Sequence, residues 1–351
     1  MDSGVVNVRV GGATDIYTYK AEGVEGLEYP IPNPEPIAKV LHRAREDERL
    51  QILHVDNANP SIVAENLEPS TEITKTLVET LSDGAVLSFG LESADPEVHE
   101  QNWLNCDSEQ LKTAIRHINE FGRKKGDRGL PKLLPGLNFI AGLKGETEES
   151  YQMNLQLLRT LSSEDLWLRR INIRQVEGQG FQEVPEKAFK EFKQEVRNEI
   201  DSPLLQEMLP TGAILRDVWW EAQDDRIRRP EQVLDSKYSD EDIRGKPGIT
   251  FGRQIGAYPI LVGVPYRIPL ETSSDIMITG HGKRSITGVE LGLDVNTATQ
   301  HQLQAIPGIS SKGAWRLLSA RAREKEGFFS STEEAFATAQ LELPGYWRDN
   351  Q

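Results

Sequence analysis

The feature that most constrains this chain is a regular alternation of short β-branched runs with longer helical stretches, sustained over residues 5–176. Strands are expected at 5–10, 51–56, 85–90, 137–142 and 168–176. Between them, helices are expected at 36–47, 70–81, 108–122 and 147–161, with Ser70 as an N-cap and Gly122 as a stop. Strands separated by helices become parallel neighbours, because the intervening crossover returns the chain to the same end of the sheet. Such folds collect ligand-facing side chains at the carboxyl ends of the strands and in the loops that follow. The expectation for residues 1–184 is therefore an α/β unit built as a partial (β/α) barrel.

The texture then changes. Residues 185–245 are rich in charge at helical spacing, with helices expected over 186–200 and 204–221, and read as a helical connector. Residues 246–291 carry short strands at 249–251, 259–262 and 275–279 separated by Gly and Pro turns, which suits a small β-barrel. Residues 292–351 return to helix. A hydrophobic content of 37% supplies enough apolar material for a sizeable core. No run approaches the 18 apolar residues of a membrane span, and the first residues lack the basic-then-apolar order of a signal peptide, so a cytoplasmic protein with no membrane partner is expected. The chain has one cysteine, Cys106, which excludes a disulfide within the chain and any site needing several cysteines. Its plain reading is a small half-buried side chain. The six histidines are scattered without metal spacing, and His281, between two glycines, reads as a turn residue. No metal site is expected.

Two glycine-bearing strand ends carry the chemistry. In Gly136–Glu149, GLNFIAGLKGETEE, a strand ends at Gly142, a loop holds Gly145, and Glu146-Thr147 opens a helix. Glycine lets a ligand approach the backbone, and a helix start presents free N–H groups; packing alone also produces such turns. In Phe89-Gly90-Leu91-Glu92-Ser93-Ala94-Asp95, Glu92 and Ser93 can accept hydrogen bonds from hydroxyl or amino groups, or Ser93 and Asp95 can simply cap the next helix.

Taken in order on consecutive strand–helix units, these segments resemble the radical S-adenosylmethionine (SAM) superfamily. Ile140–Thr147 is similar to its fifth-strand adenine motif, and Gly90–Ser93 to its fourth-strand ribose and amino-group motif. Segments 15–20, 54–60 and 170–175 resemble an archaeal branch of Fe–S oxidoreductase type that ends in a helix-hairpin-helix. The resemblance implies that Glu92 and Ser93 face the ribose or amino group of SAM, that Ile140, Gly142 and Gly145 line the adenine, and that Arg174 meets the methionyl carboxylate or a substrate anion. Asp56, Asn57, Asn172 and Arg174 itself fall where strand ends face inward, in a ligand site or a supporting polar network. The family binds a 4Fe–4S cluster through C-x-x-x-C-x-x-C after its first strand. That motif is absent here, so the resemblance implies a partial SAM site on a chain truncated at its N-terminus and inactive alone, with the missing segment as a partner if separately encoded.

The tail carries a second signal. Residues 293–298 begin a helix capped by Asn296 or Thr297, residues 305–314 form a tight hairpin, and a second helix runs to about Arg323. This resembles a helix-hairpin-helix that grips nucleic acid without sequence preference, through Pro307, Gly308, Ile309, Lys312 and Arg316. Ser310 stands where the usual hairpin has a second glycine. The net charge is −15, which repels phosphates at long range, yet residues 299–323 contain no acidic residue and four basic ones, Lys312, Arg316, Arg321 and Arg323. The 246–291 segment, in which Arg253, Arg267, Lys283 and Arg284 outnumber Glu271, Asp275 and Glu290, resembles in position the RNA-binding barrel of tRNA-modifying methylthiotransferases. Two functions are expected as rivals: a radical SAM protein acting on RNA or DNA, or a non-catalytic nucleic-acid-binding module or inactive fragment.

Overall fold

The computed structural model describes residues 6–11, 15–224, 243–323 and 329–348. The chain divides into two compact units, Met1–Leu204 with Gly256–Tyr258, and Leu205–Ile255 with Pro259–Gln351.

In the first unit the elements are β1 (Asn7–Val10), α1 (Pro34–Arg45), β2 (Ile52–Val55), β3 (Asn57–Ala58), α2 (Pro60–Glu65), α3 (Leu67–Thr80), β4 (Ala85–Glu92), α4 (Pro96–Asn102), α5 (Ser108–Gly122), β5 (Leu133–Ala141), α6 (Glu148–Ser163), β6 (Arg170–Gln175) and α7 (Glu186–Glu195). A π-helical turn, Val196–Asp201, continues α7 into α8 (Ser202–Met208), whose residues from Leu205 on belong to the second unit. The named strands here pair in parallel: β1 with β2, then β3-β4-β5-β6 in order. In place of one partial barrel, the unit has two separate parallel sheets, of two and four strands, with helices between most of the strands. Asp56 breaks the second strand, and its carbonyl still accepts from Ser88 N at 2.9 Å.

Helix α5 illustrates how the sequence places a layer. Asp107 accepts from the backbone of Glu109 and Gln110 at 2.9 and 2.8 Å, while Gln110 reaches back to Asp107 N, a capping box. Leu111, Ala114, Ile115 and Ile118 recur at helical spacing and are fully buried. Asn119 donates to Trp167 O at 3.0 Å and accepts from Trp167 N at 2.8 Å, tying the helix to the approach of β6.

Several expectations are corrected. Gly122 is not a helix stop: it is the last helical residue, followed by an αR cap at Arg123. A Cβ there would lie 2.0 Å from Leu133 O, so the glycine exists to let α5 lie against β5. Ser70 is not an N-cap but a buried residue inside α3, because that helix starts three residues earlier at Leu67. The helix expected over 204–221 ends at Met208. The Pro210-Thr211-Gly212 turn, with Gly212 at φ 90°, sends the chain into a strand, β7 (Ile214–Asp224). Charges at helical spacing suggested a helix, but Val218, Trp219 and Trp220 favour a strand, and closing a barrel decides the matter. Residues 214–224 therefore belong to the β unit, not to a connector; residues 225–242 of the expected connector lie outside the described residues.

The second unit contains a closed five-stranded barrel of β7, β8 (Ile249–Gln254), β9 (Leu261–Val264), β10 (Ser273–His281) and β11 (Ser285–Glu290). Its order runs β7-β8-β9-β11-β10 and back to β7; β9 and β11 are parallel and the other pairs antiparallel. Val218, Trp220, Val262, Val264, Ile276, Ile278, Ile286 and Val289 fill the interior. Gly252 makes room for the Trp220 indole: a Cβ there would meet it at 2.7 Å. After the barrel come α9 (Gln300–Ala305), α10 (Ser311–Arg321), α11 (Thr332–Thr338) and α12 (Gly345–Arg348). The cap of α9 is Thr299, which accepts from Gln302 N, rather than Asn296 or Thr297. Asn296 instead brackets Phe329, donating to its carbonyl and accepting from its N–H. No helix among the described residues is long and apolar enough to cross a membrane.

Gly122→Ala should destabilise the first unit by about 1–3 kcal/mol, because neither backbone can yield easily. Thermal unfolding checks this, with hydrogen exchange at α5 and β5 to localise the loss; an unchanged midpoint and unchanged protection would refute the packing argument.

Candidate functional site

A cavity of about 330 Å³ opens over one face of the β3–β6 sheet. Strand geometry sends alternate residues to the same face, and the register lays out what lines it. One row crosses the sheet as Asn57, Ser88, Gly136 and Arg170; the next holds Gly90, Asn138 and Asn172; the last pairs Ile140 with Arg174. The opposite face of the same strands presents Phe89, Leu137, Phe139 and Ile171 to the core. Asn172 Nδ2 donates to Asn138 Oδ1 at 3.1 Å, locking the two amides into one orientation.

Glu92 ends β4 beside a register shift in the β4–β5 pairing, with φ 68°, a left-handed conformation that costs a non-glycine residue energy. Its side chain folds back over Gly90, where a Cβ would lie 2.6 Å from Glu92 Oε1. Burial pushes the Glu92 carboxyl up to about 7, against the opposing pull of the Arg174 guanidinium. Among the described residues its Oε2 is buried without a hydrogen-bond partner. Such an atom is a ready acceptor for a ligand N–H.

The other end of the cavity is cationic and aromatic. Arg9 pairs with Asp56, and its guanidinium stays exposed. The Arg170 guanidinium lies 4.9 Å from the centre of the Tyr258 ring, a cation–π distance. Arg169 donates to Tyr258 O at 2.6 Å. The buried His54 ring meets Tyr258 edge-on at 5.2 Å and lies 3.2 Å from Asp56 Oδ1. Desolvation lowers the His54 pKa to about 4 despite Asp56, so the imidazole is neutral near pH 7.

The structure brings Glu92, Ile140 and Arg174 together on this cavity, with Asn57 and Asn172. It does not bring Ser93, Gly142 or Gly145 to its lining. Ser93 is buried and accepts from Asp95 N at 3.1 Å, and Asp95 caps α4 through Glu97 N at 2.9 Å, which is the capping alternative. Gly142, at φ 97°, donates to both oxygens of Glu146 at 3.0 and 3.2 Å. Gly145, at φ 78°, donates to Gln182 Oε1 at 3.1 Å. That turn is organised around the buried Glu146 carboxylate, which also accepts from Tyr151 Oη. Sequence reasoning missed Asn138 and Arg170 as lining residues, although the polar alternation Arg170-x-Asn172-x-Arg174 was a usable signal. Arg9 and Tyr258 reach the cavity only through tertiary folding. Cys106 is away from it, with its Sγ donating to Asp107 O at 3.3 Å and its thiol pushed up to about 12 by burial. Among the described residues no group of three or more His, Cys, Asp or Glu side chains is placed to hold a metal ion.

In the tail, α9 and α10 are joined by a turn in which Gly308 takes φ 86° and is exposed, while Ile306 and Ile309 are buried beneath it. Ser310 needs no glycine-like angle: at φ −73° it is the N-cap of α10 and accepts from Gly313 N at 3.1 Å. Pro307 is half-buried and Lys312 exposed. Arg316 donates to Gln340, and Arg321 is committed to the carbonyls of Val295, Asn296 and Ala298.

No family model matches the chain. An uncharacterized protein of Archaeoglobus fulgidus is 39% identical over 319 residues, covering 88% of this chain and 55% of its own length. An uncharacterized protein of Methanocaldococcus jannaschii is 35% identical over 298 residues, covering 82% of this chain and 51% of its own. The chain thus spans about half the length of the curated relatives it matches. Among solved structures, coproporphyrinogen III oxidase from Escherichia coli, described as a radical SAM enzyme, matches at 14% identity with a TM-score of 0.33, over 50% of this chain and 37% of that one.

The Glu92 environment fixes a pH dependence. Its folded pKa of about 7 lies above the ordinary 4.5, so its contribution is most favourable below pH 4.5 and is lost as pH rises through 7. Glu92→Gln should therefore stabilise the protein near pH 8 by on the order of 2 kcal/mol and have little effect near pH 4. Thermal unfolding of both proteins at the two pH values tests this; an equal shift at both would remove ionisation from the account.

Proposed function

We propose that the first unit binds SAM in the manner of radical SAM proteins and that the second brings the chain to nucleic acid. The observation that carries the first half is the Glu92–Arg174 pair on one cavity: a buried carboxyl with an unpartnered oxygen, and a guanidinium in its field. An α-amino acid presents the complementary pair, an ammonium for Glu92 and a carboxylate for Arg174. Asn57, Asn138 and Asn172 supply donors and acceptors for hydroxyl groups, and Ile140 an apolar contact. Bound SAM supplies the sulfonium whose cleavage the family uses. The cluster that supplies the electron is a different matter. The chain's single thiol is buried, protonated and outside the cavity, so its residues do not fit a 4Fe–4S cluster, and no radical step is assigned to them.

For the second half, the exposed Gly308 turn and Lys312 near the start of α10 suit a phosphate: a left-handed glycine that lets a backbone approach, N–H groups at a helix start, and a cation. Pro307 and Ile309 shape that turn and Arg316 flanks it. The rival reading, a nucleic-acid-binding module without chemistry, draws its support from the single cysteine.

Titration calorimetry with SAM should give saturable binding of one molecule per chain, weakened roughly tenfold or more by Arg174→Ala, since a charge-assisted pair is lost; absence of binding, or an indifferent Arg174→Ala, would favour the module. Duplex binding should weaken in Lys312→Glu by about fivefold or more, with a shallower salt dependence. A variant that binds the duplex like the parent takes the turn out of the account.

A further inference from the structure

The outside of the barrel carries a second arrangement, separate from the α9–α10 turn. Alternation and register place one set of side chains outward in two rows. The first row runs Trp219, Arg253, Leu261 and Ser285 across β7, β8, β9 and β11. The second runs Ala222, Phe251, Gly263 and Thr287 across the same strands, ending at Gly280 on β10. Their inward neighbours Val218, Trp220, Val262 and Ile286 are buried to within 1%. The outward set is not: Trp219 keeps 36% of its surface and Thr287 is exposed.

The second row is nearly bare apart from one ring. Gly263 lies beneath Phe251, and a Cβ there would touch Phe Cε1 at 3.6 Å. Ala222, its paired neighbour on β7, adds little height on the other side. The ring thus leans over Gly263 and is half-buried. The first row sets Trp219 beside Arg253, which is paired with Glu221. It runs out to the turn between β10 and β11, where Lys283 and Arg284 are exposed.

Two aromatic rings on adjacent strands of a rigid barrel, with guanidinium and ammonium groups along one side, match the chemistry of an unpaired polynucleotide strand. Bases offer planar faces at successive positions, and their phosphates run alongside. In a duplex those faces are stacked on one another and closed to a flat platform. Five-stranded barrels of Greek-key connectivity expose the sheet of their second and third strands, here β8 and β9, to oligomers of this kind. We infer that this face of the barrel binds single-stranded nucleic acid by stacking bases on Trp219 and Phe251, with Arg253, Lys283 and Arg284 following the backbone. The inference deepens the nucleic-acid reading above by adding a site for unpaired strand to one for duplex.

The test uses the full chain and fluorescence anisotropy with three labelled probes: oligo-dT, oligo-U and a mixed-sequence duplex. Trp219→Ala should weaken single-strand binding by about 5- to 100-fold, the range lost when one base loses its aromatic partner. Trp219→Phe, which keeps a ring, should recover most of the affinity. Thr287→Glu, an exposed change that alters no aromatic or core residue, should weaken the same probes by repulsion. All three should bind the duplex as the parent does, whereas Lys312→Glu should lose duplex and keep single strand. Binding of either single strand supports the site, and the ratio of oligo-U to oligo-dT tells RNA from DNA. Absence of single-strand binding in the parent, or binding that neither Trp219→Ala nor Thr287→Glu changes, overturns it. A Lys312→Glu defect on duplex would survive that result, and an intact Lys312→Glu would leave the barrel site standing.

Discussion

The first unit is organised around a carboxylate placed where it is expensive to keep. Glu92 has a left-handed backbone, a half-buried side chain and one oxygen with no partner. Each of these costs on the order of 1–3 kcal/mol and persists only if the surroundings allow no cheaper arrangement. The surroundings do so from both sides. Upstream, Gly90 has no side chain to compete for the space the carboxyl occupies. Downstream, the turn after Glu92 is tied to α6: Ala94 N donates to Asn154 Oδ1 at 2.6 Å, and Ser150 Oγ donates to Asp95 Oδ2 at 2.5 Å. The segment cannot relax toward solvent without breaking the helix packing. Ser93, which looks like a ligand contact in sequence, and the capping residue Asp95 are the braces that hold Glu92 in place.

The same division of labour explains the Gly142–Thr147 turn. Its glycines take positive φ and expose N–H groups, as a ligand-binding loop would. Those groups are answered from within, by Glu146 and Gln182. The loop is therefore a support for the end of β5 rather than part of the cavity lining, and it is Ile140, two residues before the glycine, that reaches the cavity.

What was legible in sequence follows from range. Strand and helix identity in the first unit rests on local periodicity, and those elements appear close to where the pattern put them. The inward face of β6 was equally local, since Arg170, Asn172 and Arg174 alternate within one strand. Residues such as Arg9 and Tyr258 could not be read, because their positions depend on contacts with partners distant in sequence, 47 residues away for Arg9 and Asp56 and 89 for Tyr258 and Arg169. Ser70, Gly122 and Thr299 show a subtler limit: a capping-competent residue or a glycine near a helix end does not say which of several neighbours becomes the terminus, and packing decides. The strand at 214–224 failed for a related reason. Its charges fit a helical period as well as a strand, and only closure of the barrel, which buries Leu215, Val218 and Trp220 on one side, selects between them.

A net charge of −15 and a role with nucleic acid are compatible only if the two act at different distances. At physiological ionic strength, charge is screened beyond roughly 8 Å, so the acidic remainder of the chain sets solubility more than local contacts. Within that distance the proposed surfaces differ from the average: residues 299–323 have no carboxylate, and on the outward barrel rows Glu221 is answered by Arg253. Few cations are concentrated there, however. Arg316 and Arg321 already serve the fold, and Arg253 is paired with Glu221. A protein with so small a cationic reserve cannot draw its affinity mainly from counterion release. On the proposed function, binding rests on contacts that act at van der Waals range, namely stacked rings and backbone N–H groups, and these favour an exposed base or a single well-placed phosphate over a long run of charge.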